Sequence, residues 1–183
     1  ADWLMQYDNK TILQKQLDRI QREVSNFKGV VDMWDVINEV VIMPVYRSDN
    51  AVTRICRYLG PVELVRQVSA AAKQANPQAT LLINDFNLSD KYRDLIAACL
   101  DAGVPISAIG LQTHQHQGYM GRERLEEIQE CFSVFGLPLH FTENTLLSGH
   151  LMSADIVDLN DYQVESWPST PEGEERQRRE WRE

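Results

Sequence analysis

The sequence has few of the features that mark membrane, redox or nucleotide-binding proteins. No run approaches the roughly 18 consecutive apolar residues of a membrane-spanning helix, and we recognise no signal peptide. The cysteines, Cys56, Cys99 and Cys131, are odd in number and lack metal-site spacing. We therefore interpret them as small core or partly buried residues. Gly118 and Gly121 are too sparse to form a phosphate-binding loop.

Basic residues are also scarce relative to acidic ones. The 183 residues include 18 Lys and Arg against 27 Asp and Glu, which gives a formal net charge of −9. This balance argues against a nucleic acid or an anionic membrane as partner, because both are polyanions. It is compatible with a neutral polysaccharide but does not identify one. The 43% hydrophobic and 25% charged content is that of an ordinary globular domain with a sizeable core.

The remaining pattern alternates helices with short apolar strands. Apolar residues recur at helical spacing over residues 9–28, and Pro61, Ser89 and Thr170 lie where helices begin. Another predicted helix stops at Gly136. We expect polar loops over residues 38–60 and 144–169. The predicted strands cover residues 31–37, 79–83, 106–111 and 139–142.

This order of elements predicts an α/β fold with a parallel sheet and right-handed crossovers. A complete (β/α)₈ barrel has eight strands in roughly 250 residues, and this sequence supplies half of them. One expectation is therefore a partial TIM barrel. The alternative is a four-stranded, doubly wound domain that is complete in itself. The chain begins with Ala1 and not with Met, so we expect either a removed leader or a longer chain.

Two of the apolar runs end in a glutamate. Glu39 closes residues 31–39 (VDMWDVINE), and Glu143 closes residues 138–143 (PLHFTE). Each run predicts a buried strand that delivers a carboxylate to its C-terminal end, which is where parallel barrels build their active sites. Two carboxyl groups at this edge favour acid/base or nucleophilic chemistry, and glycoside hydrolysis above all.

These motifs resemble those of glycoside hydrolase family 10, the retaining endo-1,4-β-xylanases. The likeness lies in four segments that follow the family's order, namely residues 34–39 (WDVINE), 82–87 (LINDFN), 109–114 (IGLQTH) and 141–143 (FTE). The resemblance implies that residues 1–183 form a partial catalytic domain with about strands 4 to 7 of the barrel. The first three strands and the eighth are then absent from the sequence.

The same resemblance assigns candidate roles. It implies that Glu143 is the nucleophile and Glu39 the general acid/base, with xylan as substrate, no metal or cofactor, and secretion from the cell. Asn38 would bind the sugar 2-hydroxyl, although it could instead cap a turn. Asn84 and Gln112 would support the same cleft, although Gln112 could equally be a satisfied polar group of the core.

His114 is the last candidate. Because Gln112 and His114 are two residues apart, we expect them on one face of one strand, with His114 donating to Glu143. His114 and His116 also form a His-x-His pair, which leaves a metal site as a weaker alternative. Trp34 lies in mid-strand, so we expect it in the core. Another retaining barrel β-glycanase, or an inactive fragment of the enzyme, remains an alternative to a working xylanase.

Overall fold

A computed structural model describes residues 2–46, 49–156 and 164–182. Residues 47–48 and 157–163, which belong to the two predicted loops, lie outside the described part. After a short 3₁₀ helix at Asp2–Gln6, helices alternate with strands as predicted. The helices are α1 (Asn9–Asn26), α2 (Ala51–Leu59), α3 (Pro61–Ala75), α4 (Asp90–Asp101), α5 (Gly121–Ser133) and α6 (Pro171–Glu180); the strands are β1 (Met33–Asn38), β2 (Thr80–Asp85), β3 (Ala108–Gln112) and β4 (Leu139–Glu143).

The described strands form a four-stranded sheet in the order β1-β2-β3-β4. Strand β2 pairs in parallel with β1 and with β3, and the β1–β2 register shifts between Asp35 and Ile37. On the far side of β3, the Ile109 N–H donates to the Pro138 carbonyl at 2.9 Å. Each strand therefore lies beside the next strand in the sequence, which confirms the predicted parallel α/β fold class.

Local sequence signals account for where the helices begin. The Ser89 side chain accepts from the Lys91 N–H at the start of α4, and the Thr170 side chain accepts from the Gly173 N–H at the start of α6. Pro61 is the first residue of α3, where its missing N–H removes no helical hydrogen bond. These three predicted helix starts are confirmed. Among the described residues, no helix has the length and apolar character needed to cross a bilayer.

Helix α2 was not expected, because the prediction placed a polar loop over residues 38–60. Asn50 forms a capping box with Thr53, and Ile55 and Cys56 are buried on the inner face of the helix. The sequence did carry a helical signal that this prediction overlooked, because apolar residues recur at positions 52, 55, 56 and 59 after the Asn50 cap. The prediction of an uninterrupted loop was therefore wrong.

The two outer strands also differ from the prediction that both glutamate-bearing strands are buried. Strands β2 and β3 are almost wholly buried, whereas Met33 on β1 and Phe141 on β4 are 49% and 48% exposed. In the described sheet β1 and β4 are the edge strands, each with one neighbour. An apolar sequence indicates that a strand can be buried, but it does not indicate how many neighbouring elements will cover it.

The chain divides into two compact units. The first comprises the described residues through Gln112 together with Phe132–Thr142. In its core, Val24 of α1 and Ala72 of α3 pack with Leu81 of β2, and the partly buried Trp34 packs against this cluster, as expected. Cys56 and Cys99 are buried and Cys131 is partly buried, which confirms their interpretation. The second unit comprises Thr113–Cys131 and the described residues from Glu143 onward.

Candidate active site

In the first unit, Glu39 directly follows β1 and has an unusual backbone conformation. Its φ is 57°, the only positive φ of a non-glycine among the described residues. This left-handed conformation costs a side-chain-bearing residue about 1–2 kcal/mol, so surrounding contacts must hold it. The Glu39 N–H donates to the Asn84 carbonyl at 2.8 Å, and Val40 beside it is fully buried. The Glu39 side chain therefore projects from a backbone turn fixed on β2.

Amide side chains surround the Glu39 carboxyl group. Gln112 Nε2 donates to Glu39 Oε1 at 3.2 Å and to Asn38 Oδ1 at 3.0 Å. Asn38 Nδ2 also donates to Glu39 Oε1 at 3.2 Å, and Asn84 Nδ2 donates to Asn38 Oδ1 at 2.8 Å. The Thr142 hydroxyl completes the set by donating to Asn84 Oδ1 at 2.6 Å. The structure thus brings together four residues that the sequence proposed as a site, although their catalytic roles remain predictions.

Asp85 supports the same turn from β2. It is fully buried, and its two carboxylate oxygens accept from the Val41 N–H at 3.0 Å and the Asn87 N–H at 2.8 Å. Burial raises the pKa of Asp85 above its ordinary value, and the nearby charge of Glu39 acts in the same direction. Because Asp85 binds backbone on both sides, its role is to hold the segment after Glu39.

Gly110 is a site residue that the sequence reasoning missed. It lies opposite Asn84 in the β2–β3 register, and a Cβ at Gly110 would lie 2.5 Å from Asn84 Oδ1. The absence of a side chain therefore makes the space that the Asn84 amide occupies. A usable signal was present, because a glycine inside an apolar strand often marks a close approach of another group.

In the second unit, Glu143 contacts His114. His114 Nε2 lies 3.1 Å from Glu143 Oε2, and His114 Nδ1 lies 2.9 Å from Thr145 Oγ1. The backbone fixes this arrangement, because the Thr113 N–H donates to the Glu143 carbonyl at 2.7 Å and the Gln115 N–H to the Thr145 carbonyl at 2.9 Å. The predicted contact of His114 with Glu143 is confirmed, whereas the contribution of Thr145 was not foreseen.

The expectation that Gln112 and His114 share a strand was wrong. Strand β3 ends at Gln112, and His114 belongs to the following segment, in which Gln115 forms an isolated parallel bridge with Leu146. The period-two rule therefore does not relate the two side chains. His114 faces Glu143 because its own segment pairs with the one after β4, a pairing that spacing along the sequence does not reveal.

His116 stacks on His114, with ring centroids 5.0 Å apart and an angle of 14° between the rings. Burial lowers the pKa of His116, and the charge of a protonated His114 would lower it further. Within the described residues, no group of three or more His, Cys, Asp or Glu side chains could hold a metal ion. The strand geometry behind the alternative metal site is also absent, since both histidines lie beyond β3.

Known proteins are similar to this chain in sequence and in fold. Residues 1–165 match the family described as Glycosyl hydrolase family 10. Endo-1,4-beta-xylanase B of Thermotoga neapolitana is 32% identical over 152 residues, which cover 77% of this chain and 42% of that protein. An endo-1,4-beta-xylanase of Geobacillus stearothermophilus is 31% identical over 140 residues, covering 72% of this chain and 41% of the relative.

A solved structure is also similar to this chain. The crystal structure of native xylanase 10B from Thermotoga maritima has a TM-score of 0.64 at 30% identity, over 78% of this chain and 45% of that one. This structural similarity confirms the predicted fold class, which is part of a (β/α)₈ barrel. The chain spans about two fifths of the length of the two xylanase relatives. Since the family match extends over most of the sequence, this chain belongs to glycosyl hydrolase family 10.

Proposed function

We propose that this chain is the central part of the catalytic domain of a retaining endo-1,4-β-xylanase. The observation that carries the proposal is that each strand-end glutamate has its own hydrogen-bonding partners. Gln112 and Asn38 donate to Glu39, and His114 contacts Glu143. Xylan is the proposed substrate because the relatives described above are named as xylanases.

In the first step, the Glu143 carboxylate attacks the anomeric carbon and the bond to the glycosidic oxygen breaks. Glu39 gives its proton to that departing oxygen, so the aglycone leaves as a neutral alcohol. A hydrogen bond from His114 Nε2 to Glu143 Oε2 holds the carboxylate of the nucleophile in position. On Glu39 both amide donors converge on Oε1, which leaves Oε2 to carry the transferable proton.

In the second step, the Glu39 carboxylate takes a proton from water while the water oxygen attacks the anomeric carbon. The bond to Glu143 breaks and the carboxylate returns, so the product keeps the β-configuration. This double displacement requires the two carboxyl groups to lie about 5–5.5 Å apart. It needs no metal or cofactor, because the two carboxyl groups carry both steps.

The amide set has a separate proposed role. Asn38 is exposed and its Oδ1 is already bonded to Asn84 and Gln112. We assign its Nδ2 as the group that meets the sugar 2-hydroxyl, where an interaction strengthens in the transition state. Asn84 and Gln112 then hold Asn38 in place. Because xylan is too large to enter a cell, we also propose that the enzyme acts outside it.

The test is hydrolysis of xylan by the purified protein and by its Glu143→Ala and Glu39→Ala variants. Both variants should lose nearly all activity on xylan. On an aryl xyloside whose leaving group needs no protonation, Glu39→Ala should still form the glycosyl-enzyme, whereas Glu143→Ala should not. Glu126→Ala is the matched control, because Glu126 is paired with Arg122 on the surface of α5. Full xylan hydrolysis by either active-site variant would refute the assignment.

The same assay also tests the stereochemistry of the reaction and the choice of substrate. The anomeric configuration of the first product, followed by NMR, must be β if the mechanism is retaining. Parallel digests of cellulose and mannan decide whether the enzyme is a xylanase or another retaining barrel β-glycanase. If the 183 residues alone release no sugar while a longer form of the protein does, the chain is an inactive fragment of the enzyme.

A further inference from the structure

The Thr145 hydroxyl lies on the opposite side of the His114 ring from Glu143. Thr145 Oγ1 is 2.9 Å from Nδ1, and Glu143 Oε2 is 3.1 Å from Nε2. Backbone hydrogen bonds from Thr113 to Glu143 and from Gln115 to Thr145 flank the histidine. Glu143 and Thr145 thus contact the ring at its two nitrogens and hold it between them.

Donor and acceptor chemistry fixes what each atom must do. An ionised carboxylate only accepts hydrogen bonds, so Nε2 carries a proton when it bonds Glu143. In a neutral imidazole the other nitrogen is then an acceptor, and only a donor can satisfy it. A threonine hydroxyl can serve as that donor, whereas a carboxylate in its place could not. The stacked ring of His116, 5.0 Å away, limits the tilt of His114 but supplies no such donor.

We propose that Thr145 is a positioning residue that donates its hydroxyl proton to His114 Nδ1 and thereby aims the Nε2 proton of the neutral ring at Glu143. The proposal rests on the proposed function, because it deepens the role of Glu143 as nucleophile. Thr145 acts through His114 and touches no reacting atom. Without this hydrogen bond the His114 ring could flip or change tautomer. With it, the ring keeps one orientation and one tautomer.

The direct test is the ¹⁵N spectrum of the protein labelled at histidine. With four histidines in the sequence, assignment of His114 needs only comparison with a His114→Gln variant. The expected pattern for neutral His114 is a protonated Nε2 and an unprotonated, hydrogen-bonded Nδ1. A protonated Nδ1 with an unprotonated Nε2 in the parent protein would overturn the proposal without any variant at position 145.

Three substitutions at one site separate positioning from structure. Thr145→Ser keeps the donor and should keep the spectrum and the rate. Thr145→Val keeps the shape but not the donor, so the Nδ1 signal should lose its hydrogen-bond shift. Thr145→Asp supplies a second acceptor, so both ring nitrogens should be protonated at a pH where the parent ring is neutral. An unchanged His114 spectrum in both Val and Asp variants would overturn the proposal.

The kinetic expectation follows from the loss of one neutral hydrogen bond. For Thr145→Val we expect kcat to fall roughly 2- to 13-fold with little change in KM, because only the orientation of the group beside the nucleophile changes. Thr145→Ser should restore the rate. The spectra do not depend on turnover, so they can support the positioning role even if Glu143→Ala proves that Glu143 is not the nucleophile.

Discussion

Replacement of Gly110 by alanine should disturb the Glu39 site through a single steric conflict. The new Cβ would lie 2.5 Å from Asn84 Oδ1 and 3.0 Å from Asn84 Cβ and Cγ. Non-bonded heavy atoms normally approach to about 3.5–4.0 Å, so Asn84 would have to move. The backbone of Gly110 does not have a positive φ, so the expected cost comes from space and not from backbone strain.

Asn84 has little room to move. It is fully buried, it donates to Asn38 at 2.8 Å, and it accepts from Thr142 at 2.6 Å. Overpacking of a well-packed interior costs about 1–3 kcal/mol, and a displaced buried amide adds to that cost if it loses a partner. For a chain of this size each kcal/mol lowers Tm by roughly 2–4 °C. We therefore expect Gly110→Ala to lower Tm by roughly 2–12 °C and to reduce activity.

The assay is thermal and urea unfolding of the parent, Gly110→Ala and a control. Gly118→Ala is the control, because a methyl group there would meet nothing within 4 Å. A second comparison places Gly110→Ala in an Asn84→Ala background, where the clashing Oδ1 and Cγ are absent and the cost should shrink. Equal Tm values for the Gly110 and Gly118 variants, or an undiminished cost in the Asn84→Ala background, would refute the reasoning.

Two further predictions concern stability in the first unit. Because Glu39 has φ 57°, Glu39→Gly should be more stable than Glu39→Ala by about 1 kcal/mol in urea unfolding, and the reverse order would contradict the strain. Tyr92 is fully buried against Phe132, and its single hydroxyl proton is shared between the carbonyls of Ile83 at 2.8 Å and Gly110 at 3.0 Å. Tyr92→Phe should therefore cost about 1–3 kcal/mol, and an unchanged midpoint would show that the bonds contribute nothing.

Much of the fold could be predicted because its signals are local. Helix α3 begins at a proline, α4 and α6 begin at a hydroxyl cap, and each predicted strand is a short apolar run between polar turns. Helix α2 also had such a signal, which the loop prediction overlooked, because its apolar residues recur at helical spacing after the Asn50 cap. The exposure of β1 and β4 could not be predicted, since it depends on which neighbours a strand has.

The sequence predicted which residues form the site but not how they contact one another. Family motifs pointed to Glu39 and Gln112, yet nothing in the sequence states that Gln112 would donate to Glu39 Oε1 across 73 residues of chain. The contact of Thr145 could not be predicted for a similar reason, because its partner His114 lies 31 residues earlier. Contacts of this kind arise from strand pairing, and no spacing rule along the sequence encodes them.

The first unit separates the reactive group from the groups that hold it. Glu39 follows β1, an edge strand that is about half exposed, whereas Asn84, Asp85 and Gln112 lie on strands that are almost wholly buried. A strained turn can persist only if its anchors are rigid, and buried strands are the most rigid part of a sheet. It follows that loss of an anchor should weaken both folding and activity, whereas loss of the Glu39 carboxylate should remove activity alone.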